Sequence, residues 1–334
     1  PTGAVLEIDP IPPGGYYGGN FYNGGSYLVS EATSPVMVAE LDFSELIVSW
    51  NADTPDGTWV ETLARVQIGD RWTKWYNLGV WASGEGTIQR HSVKIQGDSD
   101  GYVAVDTLVL SGKKTSVTDY QIKVRFFSQD GSAVPTVRYV SAAYSTAVPK
   151  KLTPSSGSPV YWNKLIPVPE CSQMVYPDGG NVWCSPTSVS MVLSYWQGYT
   201  GPCEPVVRET VAGVYDWIYD GHGNWVFNTA YAASKGFTAS VQRFTSLDQV
   251  EPLINADIPV VFSFAWGKGD LTGAAIESSN GHLAIIVGFD EAGNPIVNDP
   301  AAASDADVQR TYLRSELEAV WLGNSGGTVY IIKP

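Results

Sequence analysis

The fold of the second half is indicated by the stretch Asn181-Val-Trp-Cys-Ser-Pro-Thr-Ser-Val-Ser-Met-Val-Leu193. From its middle onward, apolar residues recur at the spacing of one helix face, at Val189, Val192, Leu193 and Trp196. This pattern predicts an amphipathic helix that opens around Ser185-Pro186, because proline is favoured in a first helical turn. Cys184 would then lie at the helix N-terminus, where unpaired N–H groups and the helix dipole favour the thiolate.

The sequence after this helix mixes helical and strand patterns. Further helices are predicted at 205–219, 225–235, 247–255 and 315–321. Strands are predicted at 259–265, 282–289, 295–298 and 328–332. Helices that precede antiparallel strands are typical of an α+β domain.

The first half shows the period-two alternation of half-buried antiparallel strands, as in Tyr120-Gln-Ile-Lys-Val-Arg-Phe126. Similar or β-rich runs occur at 46–50, 59–68, 91–95, 102–110 and 136–143. Short strands at this spacing predict an all-β sandwich of jelly-roll type. The aromatic cluster formed by Trp72, Trp75, Tyr76 and Trp81 is interpreted as core packing rather than as a platform that stacks sugars.

A segment rich in Pro, Ser and Gly separates the two halves. Its composition, without periodicity, is typical of a linker. We therefore expect a β-sandwich accessory or binding domain at 1–148, a linker at 149–159 and an α+β domain at 160–334. All three cysteines lie in the third of these segments.

Charge and hydropathy limit the kinds of partner. The 334 residues include 20 Lys and Arg against 34 Asp and Glu, a net charge of −14. This excess of negative charge repels phosphate backbones and argues against a nucleic-acid partner. No apolar run approaches the roughly 18 residues that span a membrane. The sequence opens at Pro1, as a secreted chain does after leader removal, so we expect an extracellular protein.

Three residues could act chemically with Cys184. His282 opens an apolar strand and could face a cleft as the base that a thiol nucleophile needs. The predicted hairpin returns Asp299 towards His282, where a carboxylate could fix the imidazole tautomer, with Asn298 as a rival for that role. Gln173 could donate a hydrogen bond to an oxyanion together with the Cys184 backbone N–H.

These residues and their surroundings resemble a known family. The order Gln173, Cys184, His282, Asp299 is that of papain-like cysteine peptidases. Three segments resemble family thirty-nine of these peptidases: the one around Cys184, the one from Gly281 to Asp290 and the one from Val297 to Pro300. This family is the bacteriocin-processing type and includes stand-alone secreted relatives.

The resemblance covers about residues 160–334 and implies a papain-like fold. In it, Gln173 is the oxyanion donor, Cys184 the nucleophile, His282 the base and Asp299 the orienting residue. Ser185 departs from the family pattern, in which Gly directly follows the cysteine.

With Cys184 as the nucleophile, the other two cysteines gain a simple interpretation. Cys171 and Cys203 flank the nucleophile segment and could form a disulfide, worth roughly 3 to 4 kcal/mol on the chain-entropy estimate. No cofactor and no catalytic metal are expected. The acidic pair Asp98 and Asp100 weakly resembles a calcium loop but has too few acidic ligands, so a turn is the preferred interpretation.

The preferred function is that of a secreted peptidase that acts on a peptide or protein, with the first half binding a cell surface or a glycan. Two alternatives stay open. The same residues could serve a cell-wall amidase or endopeptidase, or a transglutaminase-like acyl transferase. The chain could instead be a non-catalytic surface or carbohydrate-binding protein, in which case Cys184 would be buried or disulfide-bonded.

Overall fold

A computed structural model describes residues 3–112, 117–146 and 153–334. The strands before residue 150 are β1 (Val5–Ile8), β2 (Ser26–Thr33), β3 (Met37–Phe43), β4 (Glu45–Asp53), β5 (Thr58–Ile68), β6 (Arg71–Trp72), β7 (Tyr76–Trp81), β8 (Gly101–Ala104), β9 (Thr107–Leu110), β10 (Val117–Ser128) and β11 (Thr136–Ser145). No helix occurs before residue 147 within the described residues.

The later part of the chain contains all the α-helices of the described residues. The helices are α1 (Cys184–Gln197), α2 (Cys203–Val214), α3 (Trp225–Ser234), α4 (Glu251–Asn255) and α5 (Arg314–Ser325). The strands are β12 (Lys164–Leu165), β13 (Thr238–Arg243), β14 (Val260–Trp266), β15 (Ser279–Phe289), β16 (Pro295–Asn298), β17 (Gln309–Thr311) and β18 (Thr328–Lys333). None of the helices in the described residues has the length and apolar character needed to cross a membrane.

The chain divides into two compact units that differ from a simple division into halves. The first unit contains residues 1–146 and also 215–234, and the second contains 147–214 and 235–334. Strands β1 to β11 and helix α3 therefore belong to the first unit. The remaining helices and strands form the second unit.

Two antiparallel sheets form the first unit. One runs in the order β1-β2-β10-β5-β6, with β3 also paired to β10 and β7 also paired to β5. The other runs β11-β4-β9-β8. Both sheets contain strands distant in sequence, because β10 pairs with β5 and β11 pairs with β4.

An aromatic cluster makes up part of the core of the first unit. Trp59 and Phe127 lie opposite each other on β5 and β10, and their rings stack with centroids 5.1 Å apart. Tyr22 and Tyr27 pack against this pair and are almost fully buried. Aromatic rings bury a large apolar area each, so a few of them supply much of the core.

The segment 215–234 completes the first unit although it lies far along the sequence. Helix α3 packs on β4, and eight of its ten residues are buried. Phe227 makes ring contacts with Trp50 and Trp81 at centroid distances of 6.3 and 5.2 Å. Gly79 allows this close approach, since a Cβ there would lie 3.0 Å from the Phe227 ring and 3.2 Å from Trp50.

One antiparallel sheet dominates the second unit, in the order β13-β18-β14-β15-β16-β17, with β12 paired to β15. Strand β15 is buried along most of its length because it has sheet neighbours on both sides and α1 packs against it. The adjacent β14 also contacts α5. Helix α1 is buried over ten of its fourteen residues, from Ser185 to Ser194.

Several element predictions need correction. The helix predicted at 205–219 ends at Val214, because the next residues turn into the first unit. The predicted strand at 91–95 is wrong: only His91 bridges to Val80, while Ile95 has a φ of 56° and is 93% exposed. The run at 102–110 is a hairpin of two strands rather than one strand. The strands that were not expected are β1, β2, β3, β6 and β7 in the first unit and β12, β13 and β17 in the second.

The predicted linker at 149–159 is described only in part. Residues 149–152 lie outside the described residues. From Ser155 to Ser158 the backbone is tied to the second unit, since Ser155 N–H donates to Glu318 over 2.6 Å and Ser158 N–H donates to Glu251 over 2.9 Å. Arg314 also donates to the Ser155 carbonyl over 3.1 Å. This stretch is therefore part of the second unit's surface rather than a free connection.

Truncation of Phe227 tests whether segment 215–234 stabilises the first unit. Phe227→Ala should lower the free energy of unfolding by about 3 to 5 kcal/mol, because it leaves a cavity between Trp50 and Trp81. Urea denaturation followed by tryptophan fluorescence measures this change. Tyr139→Ala, at a 40% exposed position of β11, should change stability by less than about 0.5 kcal/mol. Equal effects of the two substitutions would contradict the assignment of α3 to this core.

Candidate active site

Cys184 is the first residue of α1 and the one free cysteine among the described residues. The residue is partly exposed, although its thiol lies in buried surroundings. The first-turn N–H groups of a helix have no intrahelical acceptors, so they favour an anion at this position. The helix that the sequence predicts therefore presents its thiol in an environment suited to a thiolate.

His282 and Asp299 lie side by side in the second unit. His282 belongs to β15, and Asp299 follows the last residue of β16, which pairs with β15. The distance from His282 Nε2 to Asp299 Oδ1 is 2.7 Å. His282 is 3% exposed and Asp299 is fully buried. The hairpin thus returns the carboxylate to the imidazole as the sequence predicts.

The rival residue Asn298 has a different position. Its side-chain amide donates to the carbonyls of Val168 and Pro169 over 3.2 and 3.3 Å. Asn298 therefore attaches the segment before Gln173 to β16. Among the two candidates, Asp299 is the partner of His282.

Tyr312 is a further member of this cluster that the sequence analysis did not identify. Its hydroxyl donates to Asp299 Oδ2 over 2.7 Å, while the Ala301 N–H donates to Oδ1 over 2.9 Å. Tyr312 follows β17 and is fully buried. The Asp299 carboxylate is thus held by three groups and has a fixed orientation towards His282.

The electrostatics of the cluster favour an ion pair between Cys184 and His282. Burial opposes the thiolate, but interaction with His282 and the backbone N–H groups of Leu283 and Ser185 lowers the pKa of Cys184 overall. Burial also opposes the imidazolium, yet Asp299 and Cys184 raise the pKa of His282. Despite burial, His282, Tyr312 and Ala301 keep the pKa of Asp299 low. Since Nε2 faces Asp299, Nδ1 is the nitrogen left for the thiol.

Aromatic side chains surround the imidazole. Phe264 and Trp266 on β14 contact the His282 ring edge-on, with centroids 5.3 and 5.6 Å away, and stack on each other. Phe264 is the direct cross-strand partner of His282. Apolar walls exclude water and strengthen the attraction between charges inside them.

Gln173 is buried and is attached to both flanks of the site. Its Nε2 donates to the Gly180 carbonyl over 2.6 Å, and its backbone N–H donates to the Pro300 carbonyl over 2.8 Å. An amide nitrogen carries two N–H groups, so one donor of Nε2 is not needed for Gly180. A Cβ at Gly180 would lie 1.9 Å from the Gln173 carbonyl oxygen, so only glycine fits this turn before Cys184.

Ser185 and Ser188 connect α1 to the sheet. The hydroxyl of Ser185, the position where family thirty-nine has Gly, lies 3.0 Å from the Tyr330 hydroxyl. Ser188 donates to the Leu283 carbonyl over 3.2 Å, next to His282. The Ser188 bond holds the helix that carries Cys184 against β15, the strand that carries His282, and the Ser185 contact attaches the same helix to β18.

Cys171 and Cys203 are joined by a disulfide, the pairing that the sequence analysis expects. The bond connects the segment two residues before Gln173 to the first residue of α2. It closes a loop that contains Cys184. Closing such a loop restricts the unfolded chain and favours the folded state.

The other polar candidates lie in the first unit. The ring nitrogens of His91 face the carbonyls of Phe21 and Ser92 at 2.8 and 2.9 Å. Burial lowers the pKa of His222 to about 4. Asp98 is 3.1 Å from Lys74, and Asp100 is 2.6 Å from Arg71. Among the described residues no group of three or more His, Cys, Asp or Glu is arranged to hold a metal ion.

Two family models match this chain. The family model for the peptidase C39 N-terminal domain matches residues 13–145, and the model for the peptidase C39-like family matches residues 165–329. Residues 165–329 belong to the C39-like peptidase family. No curated protein matches the chain. The solved structures similar to this chain include one from Bacillus anthracis assigned as a C39-like peptidase, at 18% identity and a TM-score of 0.37. The match covers 52% of this chain and 98% of that one.

The lowered pKa of Cys184 can be tested by alkylation. Because His282 favours the thiolate, the reaction of iodoacetamide with Cys184 should persist well below pH 8.5 and disappear only as the pH falls through the lowered pKa. In His282→Ala the thiol loses that stabilisation, and the rate at pH 7 should fall about tenfold. Mass spectrometry of the labelled peptide measures both rates.

Two controls make the alkylation result specific. His222→Ala alters a histidine of the first unit and should leave the pH profile unchanged, and Cys184→Ala should abolish labelling. A profile that is the same in wild type and His282→Ala would contradict the ion pair.

Tyr312→Phe tests whether the hydrogen bond from the Tyr312 hydroxyl fixes the Asp299 carboxylate. Loss of the hydroxyl donor should raise the pKa of Asp299. It should also let the carboxylate rotate away from the imidazolium, and the pKa of His282 should then fall. Stability should fall by about 2 kcal/mol at neutral pH, since a charged acceptor loses one bond. Titration of the histidine resonances by NMR measures the shift. Tyr195→Phe removes a hydroxyl bonded to the Asp257 carbonyl and should leave His282 unaltered; an equal shift there would refute this role for Tyr312.

Proposed function

We propose that the second unit hydrolyses peptide bonds as a papain-like cysteine peptidase, with Cys184 as nucleophile and His282 as general acid and base. The observation that supports this most directly is the position of His282, which interacts with Cys184 and lies 2.7 Å from Asp299. Family membership supports a cysteine peptidase at the level of the family. The proposed roles of individual residues rest on the hydrogen bonds and ion pair of the cluster.

The acylation step follows from the ion pair. The Cys184 thiolate attacks the carbonyl carbon of the scissile bond and forms a C–S bond. The proton on His282 Nδ1 then passes to the amide nitrogen, and the C–N bond breaks. The amine leaves, and a thioester and a neutral imidazole remain. The Asp299 carboxylate holds the ring in one orientation throughout.

The oxyanion that forms during this attack needs hydrogen-bond donors. We assign this role to the Cys184 backbone N–H at the start of α1 and to the second N–H of Gln173 Nε2. Donors that are already fixed stabilise developing charge without reorganisation, and each is worth about 10² to 10³ in kcat. The hydrogen bonds of Gln173 to the Gly180 and Pro300 carbonyls fix the position of this residue.

Deacylation reverses the roles of the same groups. A water molecule gives a proton to His282 Nδ1 and attacks the thioester carbonyl. The C–S bond breaks, the carboxylic acid product leaves, and the thiolate and imidazolium are restored. No further group is needed for the proton to be returned.

The extracellular location also stays a proposal. The Cys171–Cys203 disulfide supports it, because disulfides persist in oxidising compartments and are rare in the cytosol of mesophiles. Detection of the chain in culture medium, with the disulfide intact, would support it. Accumulation in the reduced form within the cytoplasm would contradict it.

A direct assay tests the proposed activity. Purified chain should release fluorescent peptides from labelled casein, and Cys184→Ala, His282→Ala and Asp299→Asn should each lose most of this activity, with Cys184→Ala down by at least about 10⁴-fold. Gln173→Ala should lower kcat by about 10² to 10³ with little change in KM. Rates of peptide release at several substrate concentrations separate kcat from KM.

Matched controls use exposed residues of the same unit. Asp307→Asn and Gln197→Ala should keep the wild-type rate, because both side chains are exposed. Peptidoglycan and a fluorescent amine donor are offered in parallel. Release of muropeptides without peptide cleavage, or transfer of the amine alone, would replace the peptidase proposal with one of the other acyl-transfer functions.

A further inference from the structure

The first unit contains a pocket that plays no part in the site described above. It has a volume of about 210 Å³ and is lined by Tyr16, Tyr17, Gly18, Gly19, Asn20, Gln89, His91, Trp217 and Ile218. All of these residues belong to the first unit, two of them through segment 215–234. The pocket is therefore completed by residues that are distant in sequence.

A tight turn forms one wall of the pocket. Tyr16 and Gly19 exchange two backbone hydrogen bonds, of 3.0 and 2.9 Å. The two residues between them have positive φ, 49° at Tyr17 and 88° at Gly18. This conformation is costly for a bulky residue and is found where the surrounding structure uses it. Its result here is that the Tyr17 ring is 55% exposed at the pocket.

The buried Asp216 carboxylate fixes the opposite wall. Its Oδ1 accepts from the backbone N–H groups of Ser92, Ile218 and Tyr219 over 3.0 to 3.1 Å, and its Oδ2 accepts from the Asn224 amide over 2.9 Å. These bonds hold the loop that carries Trp217. That indole is 41% exposed and lies beside a rigid backbone, so its position is set before any ligand arrives.

The pocket presents side-chain amides beside the hydroxyl and indole groups of its aromatic residues. Asn20 Oδ1 accepts from the Gly14 N–H over 3.0 Å, which leaves its NH₂ group as a donor. Gln89 is exposed and has both a donor and an acceptor to offer. His91 is 1% exposed, and its ring nitrogens face backbone carbonyls. The lining contains no Asp, Glu, Lys or Arg.

We propose that this pocket binds a neutral oligosaccharide. The apolar face of a sugar ring matches the Tyr17 and Trp217 rings, and its hydroxyl groups both donate and accept hydrogen bonds, as the amides of Asn20 and Gln89 do. A cationic ligand would find no counter-charge among the lining side chains, and the Lys94 ammonium already lies against the Tyr17 ring, 5.5 Å from its centroid. A proline-rich peptide could also stack on the aromatic rings, but its backbone offers carbonyl acceptors and few donors, which leaves the acceptor of Gln89 unused.

A binding experiment tests the proposal on the full chain. The probes are an array of neutral bacterial, fungal and plant oligosaccharides and, separately, a decaproline peptide. Wild type should bind at least one neutral oligosaccharide, and Trp217→Ala should weaken that binding by at least about tenfold. Tyr17→Gly should weaken it too while keeping or raising the melting temperature, because glycine relieves the positive φ. Calorimetry with the best oligosaccharide measures the affinities.

Trp72→Ala and Tyr102→Ala are the matched controls. Both remove partly exposed rings of the first unit outside the pocket and should leave oligosaccharide binding unchanged. Cys184→Ala should bind like wild type, so loss of peptidase activity does not affect the result. Binding that survives Trp217→Ala, binding of decaproline alone, or no binding to any neutral oligosaccharide would each overturn the proposal.

Discussion

The buried carboxylate of Asp299 is the constraint on which the second unit depends. A charged group without water is costly, by several kcal/mol, unless hydrogen bonds and an opposite charge compensate it. Three groups do so here: His282, the Tyr312 hydroxyl and the Ala301 N–H. They come from β15, from the residues after β17 and from the turn after Asp299 itself. The carboxylate therefore fixes how this edge of the sheet is built.

The same compensation favours the distribution of charge on which the proposed reaction depends. Asp299 is stabilised by a positive charge on His282, and that charge in turn stabilises a negative charge on Cys184. The helix N-terminus adds to this effect from the other side. A cluster that only needed to be stable could replace these charges with apolar groups at little cost, so the retained charges point to use of the thiolate.

The sequence predicted the parts of this site that are encoded locally. Cys184 precedes an apolar helical pattern, and a short hairpin returns Asp299 to His282, so nearby residues suffice to place them. Tyr312 could not be found in this way, because a fully buried tyrosine after a short strand looks like core packing. The alternation at 91–95 was misleading for a similar reason, since a positive φ at Ile95 depends on the surrounding structure rather than on the pattern.

Segment 215–234 shows that sequence patterns are also insufficient to assign residues to a domain. An apolar helix such as α3 has the same pattern whichever sheet it covers, and the choice is made by distant details: the missing side chain of Gly79 beside Phe227, and the Ser92 N–H that meets the Asp216 carboxylate. The family model for the N-terminal domain ends at residue 145 and so omits this segment. A fragment cut there would lack both the helix that covers β4 and the indole that lines the pocket. The boundary of the first unit therefore follows from its contacts and not from its position in the sequence.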